Sequence, residues 1–149
     1  MFVSLTSHQC ASVRHSLESL SWPRSMRYNV PGDGFCIGAS QNRTGPKYSE
    51  PIGNGQRACV AAVNALIHSM GFSDFCWSSL QFNKNTDAQP HVDHNNMGLS
   101  FVLILGDYSG GALVVPSRGL ATQPRGSPIG VFIDGREYHH TTPRSGKGD

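Results

Sequence analysis

Residues 80–115, LQFNKNTDAQPHVDHNNMGLSFVLILGDYSGGALVV, decide the fold class. Two short apolar pieces in this stretch are separated by a connection that contains Gly110 and Gly111. Short apolar pieces joined by glycine-rich turns are typical of strands in a β-sandwich or barrel. In the chain as a whole, four pieces have this strand-like character: 76–83, 99–105, 112–115 and 129–133. The sequence therefore predicts a mainly β structure.

Two segments before this stretch have helical character. RACVAAVNALIHSM, residues 57–70, has apolar side chains at the spacing of one helical face, and Gly71 can end the helix. A weaker helical pattern lies within residues 1–22, before Pro23. In the loop-rich region between them, residues 35–37 are expected to form an edge strand. We expect an α+β fold in which helices flank the sheet.

Length and composition limit the domain count and the class of protein. A chain of 149 residues suits a single domain, divided into a loop-rich segment 1–56, the helix 57–70 and a β core 75–149. A net charge of +2 gives no strong nucleic-acid signal. No apolar run suits a membrane helix and no secretory signal is evident, so an intracellular, soluble protein is expected. The four cysteines form no CxxC pair, which argues against a structural zinc knuckle.

The segment PHVD, residues 90–93, places an imidazole and a carboxylate two residues apart. Residues i and i+2 of a strand point to the same side, so His91 and Asp93 can face one point if the segment is extended. His94 would then face away. A third ligand must come from another strand, and His139 and His140 are the only later histidines. Either one completes a set of two histidines and one carboxylate, the facial triad of non-haem Fe(II) oxygenases.

The surroundings of this motif carry a family resemblance. Residues 80–115 resemble the metal-binding core of the 2-oxoglutarate and Fe(II)-dependent dioxygenases, where a strand leads into HxD, an apolar strand and a turn of the form lG(D)xxGG. The later segment IDGREYHHTTPRSG, residues 133–146, resembles the superfamily's fdGxxxHxtxPxxG segment, which carries the distal histidine. The resemblance covers about residues 75–149.

The resemblance implies roles for particular residues. His91, Asp93 and His139 would be the Fe(II) ligands and the catalytic residues. His139 is preferred over His140 because the family histidine stands four residues before a proline, here Pro143.

The resemblance also implies a cosubstrate, 2-oxoglutarate, and O2. The family's basic anchor for 2-oxoglutarate lies beyond the distal histidine, where Lys147 is the nearest fit. Asn83, on the strand that enters the site, is a second candidate for cosubstrate binding. Because the sequence ends at residue 149, we expect a fragment whose usual anchor and last strand are missing.

The implied fold is a double-stranded β-helix (jelly-roll) core with helix 57–70 packed on the outside of one sheet. The implied function is hydroxylation of an unidentified substrate, either a small molecule or a protein side chain. Two alternatives remain: a non-catalytic β-sandwich binding module, and a truncated or degenerate oxygenase without activity. Loss of bound iron in a His91→Ala, Asp93→Ala double variant would separate the enzyme from the binding module.

Overall fold

The computed structural model describes residues 2–25, 30–42, 45–72, 74–94, 96–122 and 128–148, with the backbone alone for residues 25, 42 and 144–148. Two α-helices are present in this part of the chain, α1 (Ser7–Glu18) and α2 (Gly53–Ser69). The strands, in chain order, are β1 (Phe2–Val3), β2 (Arg24–Ser25), β3 (Gly32–Asn42), β4 (Gly45–Ser49), β5 (Ser79–Lys84), β6 (Ser100–Ile104), β7 (Gly106–Gly110), β8 (Leu113–Val115), β9 (Leu120–Ala121), β10 (Ile129–Ile133), β11 (His140–Thr141) and β12 (Arg144–Gly148). A short 3-10 helix, Pro116–Arg118, follows β8.

The strands form antiparallel sheets. One sheet has the order β1-β10-β6, a second has β11-β8-β9, and β12 pairs with β7. In the remaining sheet the long strand β3 pairs with β2, β4 and β5. The described part of the chain is therefore mainly β with two α-helices, as the sequence predicted.

The strand predicted at residues 35–37 is present, but it is the middle of a longer strand rather than a short edge strand. These residues lie in the middle of β3, which has β5 and β4 as hydrogen-bonded neighbours. Ile37 is buried, and the ring of Phe35 stacks on Phe82 of β5 with centroids 4.7 Å apart. The short apolar run in the sequence marks only the buried part of an eleven-residue strand whose ends are polar.

The helix predicted at residues 57–70 is confirmed, with a start four residues earlier. It begins at Gly53, where the side chain of Gln56 accepts a hydrogen bond from the backbone N–H of Ile52 at 2.8 Å. This contact satisfies a donor at the helix start, where backbone N–H groups lack partners within the helix. The helical pattern before Pro23 is also confirmed, as α1, which begins with a capping box between Thr6 and Gln9.

Among the described residues, two apolar clusters lie on either side of the sheet β1-β10-β6. The first joins both helices to β3 and β5 and includes Leu103 of β6. The second joins Val131 and Ile133 of β10 to Leu113 and Val115 of β8. Successive side chains of a strand point to opposite faces of a sheet. Strands β6 and β10 therefore contribute side chains to the packing on both faces of their sheet. Helices, this sheet and the β8 sheet therefore form successive layers.

Residues 144–148 form a strand, although the sequence contains no strand-like apolar piece after residue 133. This strand, β12, pairs with β7 over five residues, from Arg144 opposite Gly110 to Gly148 opposite Gly106.

In the described part of the chain, the helices are all too short or too polar to cross a bilayer.

Candidate metal centre

The two histidines of the site lie opposite each other on neighbouring backbone segments. His91 donates its backbone N–H to the carbonyl of His139 at 3.1 Å, and His139 donates to the carbonyl of His91 at 3.0 Å. Opposed residues in an antiparallel pair present their side chains on the same face. The imidazole rings accordingly lie side by side, with centroids 4.4 Å apart.

Asp93 completes the group from the same segment as His91. Its Oδ1 lies 3.6 Å from His91 Nε2, and its Oδ2 lies 3.4 Å from His139 Nε2. The candidate ligand atoms of the three residues all lie within 4.8 Å of one another. The i, i+2 spacing of His91 and Asp93 thus brings an imidazole and a carboxylate to one point, where His139 meets them.

The backbone fixes which ring nitrogen of each histidine faces Asp93. His91 Nδ1 lies 2.6 Å from the carbonyl oxygen of Gln89, and His139 Nδ1 lies 2.8 Å from that of Glu137. A carbonyl oxygen can only accept a hydrogen bond, so each Nδ1 carries a proton. In a neutral ring the Nε2 then has a lone pair, and both lone pairs are available to the ion.

This arrangement concentrates electron pairs. Two Nε2 lone pairs and a carboxylate repel one another unless a cation lies among them, either a metal ion or a proton on Nε2. In the absence of an ion, the hydrogen bond to Asp93 raises the pKa of His139 above its ordinary value, while burial acts in the opposite direction. A positive charge placed among the three side chains, on a metal ion or a proton, therefore stabilises their arrangement.

The spacing of the three side chains is compatible with a shared ion. Two ligands that each bind an ion at about 2.1 Å lie about 3.0 Å apart at a right angle and about 3.4 Å apart at the tetrahedral angle. The distances of 3.4 and 3.6 Å from Asp93 to the imidazoles lie close to this range. The residues present therefore fit a divalent metal ion with only small side-chain movements.

Burial of the group is uneven. The side chains of His91 and His139 are each 9% exposed, whereas that of Asp93 is 37% exposed. The histidines are thus shielded and the carboxylate faces solvent. The Asp93 carboxylate is therefore the most accessible of the three candidate ligand groups.

The other residues considered from the sequence are not members of the group His91, Asp93 and His139. His140 lies on β11 opposite Val114, and His94 is exposed. Asn83 lies on β5 opposite Gly34 and accepts a hydrogen bond from the side chain of Gln81 at 3.1 Å. The backbone of Lys147 pairs with Asp107 on β12, and its side chain lies outside the described part of the chain. Binding of 2-oxoglutarate by Asn83 or Lys147 stays a prediction.

Two residues beside the site are not among the site residues predicted from the sequence. Gly135 accepts a hydrogen bond from the backbone N–H of Asp93 at 2.7 Å, and Asn96 donates its backbone N–H to the carbonyl of Asp93 at 3.2 Å. Neither residue offers a side-chain atom as a metal ligand, so the spacing of ligand residues in the sequence does not identify them. Asn96 lies three residues after Asp93 and Gly135 four residues before His139, and Gly135 is the glycine of the segment that resembles fdGxxxH.

Comparison with protein-family models, with curated proteins and with solved structures finds no match for this chain. Its function is therefore argued from the geometry of the site.

Proposed function

We propose that this chain is a non-haem Fe(II)- and 2-oxoglutarate-dependent dioxygenase that hydroxylates an unidentified substrate. One observation carries the proposal: one ligand atom from each of His91, Asp93 and His139 lies within 4.8 Å of the others, and both imidazole Nε2 atoms face the Asp93 carboxylate. Two histidines and one carboxylate with open positions are the ligand set of non-haem Fe(II) oxygenases. A structural zinc site usually closes four positions, commonly with cysteines, and the group here contains none.

The ligand residues would hold the ion in a fixed orientation. His91 and His139 would bind through Nε2, because their Nδ1 protons are donated to backbone carbonyls. Such outer hydrogen bonds orient the rings and raise their basicity. Asp93 would bind from the exposed side and offset part of the ion's charge. A bound iron would supply the reaction of O2 with 2-oxoglutarate and a substrate C–H bond, in which one oxygen atom enters succinate as CO2 is released and the other enters the hydroxylated product.

We further propose that the β core is a double-stranded β-helix. The support is the facing of two antiparallel sheets, β1-β10-β6 and β11-β8-β9, across the cluster that contains Val115 and Val131. Jelly rolls are double-sheet structures of this kind. The distal histidine directly precedes β11 of one sheet, and the HxD segment lies in the loop that leads into β6 of the other.

Anaerobic titration tests the proposal. Fe(II) is added to the protein first, and 2-oxoglutarate second, while the visible spectrum is recorded. A weak charge-transfer band that grows with 2-oxoglutarate is the expected result. The His91→Ala, Asp93→Ala double variant should show no band, whereas a His94→Ala variant should retain it because His94 lies outside the group.

The same experiment separates the alternatives. Bound iron without a band would contradict 2-oxoglutarate chemistry and leave a metal-binding protein. Intact protein that binds no iron would support the non-catalytic binding module instead. A band without succinate formation in air would indicate the degenerate oxygenase.

A further inference from the structure

Gly135 is a buried glycine directly beneath the Asp93 carboxylate. A Cβ at this position would overlap the side-chain amide of Asn96 and lie 3.0 Å from Asp93 Oδ2. The φ angle of Gly135 is not positive, so lack of space, rather than backbone conformation, demands glycine here.

Asn96 cannot move freely to make room. Its Nδ2 donates a hydrogen bond to Ser100 Oγ at 3.0 Å, and its backbone N–H is bonded to the carbonyl of Asp93. Ser100 is in turn fixed in β6, opposite Ile133 of β10. The Asn96 amide is therefore held between a strand of the sheet and the turn that carries Gly135.

Gly135 and Asn96 both contact the same candidate ligand, Asp93. The carbonyl of Gly135 accepts the backbone N–H of Asp93 at 2.7 Å, which fixes the Asp93 backbone, while its bare Cα leaves space for the carboxylate. Asn96 fills the other side of that space. A carboxylate displaced by even a few tenths of an ångström changes its distance to both imidazoles.

We propose that Gly135 and Asn96 are positioning residues that hold the Asp93 carboxylate between the two imidazoles, an inference that rests on the proposed metal site. Gly135 supplies the space and Asn96 limits it. Neither residue touches the ion. Each acts through Asp93, and the effect on metal affinity is that of an outer-shell residue, which is typically 10–100-fold.

The test is a titration of metal-free protein with Co(II), followed by its visible absorption and by calorimetry. Gly135→Ala should weaken Co(II) binding about 10-fold or more and alter the intensity of the Co(II) bands. Adding Asn96→Ala should restore part of the affinity, because it removes the side chain that the new methyl group overlaps. Thermal denaturation of the metal-free variants separates the two effects, because a purely structural defect would lower stability without altering the Co(II) bands.

Gly98→Ala is the matched control. Gly98 lies in the same loop with φ +71°, and a Cβ there meets nothing within 4 Å. Its substitution should strain the backbone and lower stability while leaving Co(II) affinity and spectrum unchanged. This separates loop destabilisation from displacement of Asp93.

The outcomes distinguish this inference from the proposed function. A wild-type chain that binds no Co(II) overturns the metal site and the inference together. Wild-type binding with equally tight binding by Gly135→Ala overturns the inference alone. If Gly135→Ala does not fold, Asn96→Ala by itself decides: a several-fold loss of Co(II) affinity supports the positioning role, and unchanged affinity overturns it.

Discussion

Replacement of Thr122 by valine should destabilise the β8 sheet, which lies next to the distal histidine. Thr122 is 4% exposed and follows β9. Its Oγ1 accepts the backbone N–H of Leu113 at 2.8 Å, and its own backbone N–H is donated to the Leu113 carbonyl at 3.0 Å. Valine has nearly the same shape but no oxygen, so the buried N–H of Leu113 loses its acceptor.

The magnitude follows from that lost acceptor. An unsatisfied buried donor costs about 1–3 kcal/mol. For a domain of this size each kcal/mol corresponds to about 2–4 °C in the thermal midpoint. We therefore expect Thr122→Val to lower the midpoint by about 2–12 °C, measured by circular dichroism and by urea denaturation.

Thr142→Val is the matched comparison. Thr142 Oγ1 accepts the backbone N–H of Ala112 at 2.9 Å, but this bond is only partly buried. Water can replace the lost acceptor there, so the cost should be smaller. A Thr142→Val variant that loses as much stability as Thr122→Val, or a Thr122→Val loss below about 0.5 kcal/mol, would refute the reasoning.

Other predictions concern the metal centre. A divalent ion at 100 times its Kd should stabilise the wild-type chain by about 2.7 kcal/mol. In a thermal-shift assay, His91→Ala should abolish this stabilisation and His94→Ala should keep it. Stabilisation retained by His91→Ala would exclude His91 as a ligand. For the metal-free chain, the raised pKa of His139 means that its pairing with Asp93 contributes stability that is complete below the ordinary value of 6.5 and is lost as pH rises through the folded pKa. Urea denaturation across this range should therefore show a fall in stability for the wild type that is smaller in Asp93→Asn; identical pH profiles would contradict the pairing. Because protons compete with the metal for Nε2, metal affinity should also fall as pH decreases below the pKa of His139, as a calorimetric pH series would show.

Local periodicity explains what the sequence could predict of the fold. The apolar repeat of residues 57–70 is a helical face, and it predicted α2 correctly except at its start. There Gly53, Asn54 and Gly55 have poor helix propensity, so the pattern gave no indication that the helix extends over them. Strand β10 was predicted with its observed bounds, because an uninterrupted apolar run coincides with a buried strand.

Strands that depend on distant partners could not be predicted. The segment GDYSG, residues 106–110, reads as a turn because glycine, aspartate and serine disfavour strands, yet it is β7. Its partner β12 is equally poor in strand-forming residues. Each is extended because the other supplies backbone hydrogen bonds, and that pairing joins residues more than thirty positions apart in the sequence.

In the candidate site, the sequence predicted the ligand residues but not the residues that support them. The i, i+2 alternation placed His91 and Asp93 together, and the structure brings His139 rather than His140 to them. The residues that hold these ligands act through backbone carbonyls and through packing, as at Glu137 and Gly135. A carbonyl is present in every residue, so no side-chain pattern could identify it.

Metal stoichiometry in paired histidine variants tests the central claim most directly. Wild-type, His139→Ala and His140→Ala proteins are loaded anaerobically with Fe(II), freed of excess ion and analysed for bound iron. The site described here predicts one iron per chain in the wild type and in His140→Ala, and none in His139→Ala. Equal iron in all three proteins, or none in the wild type, would contradict it.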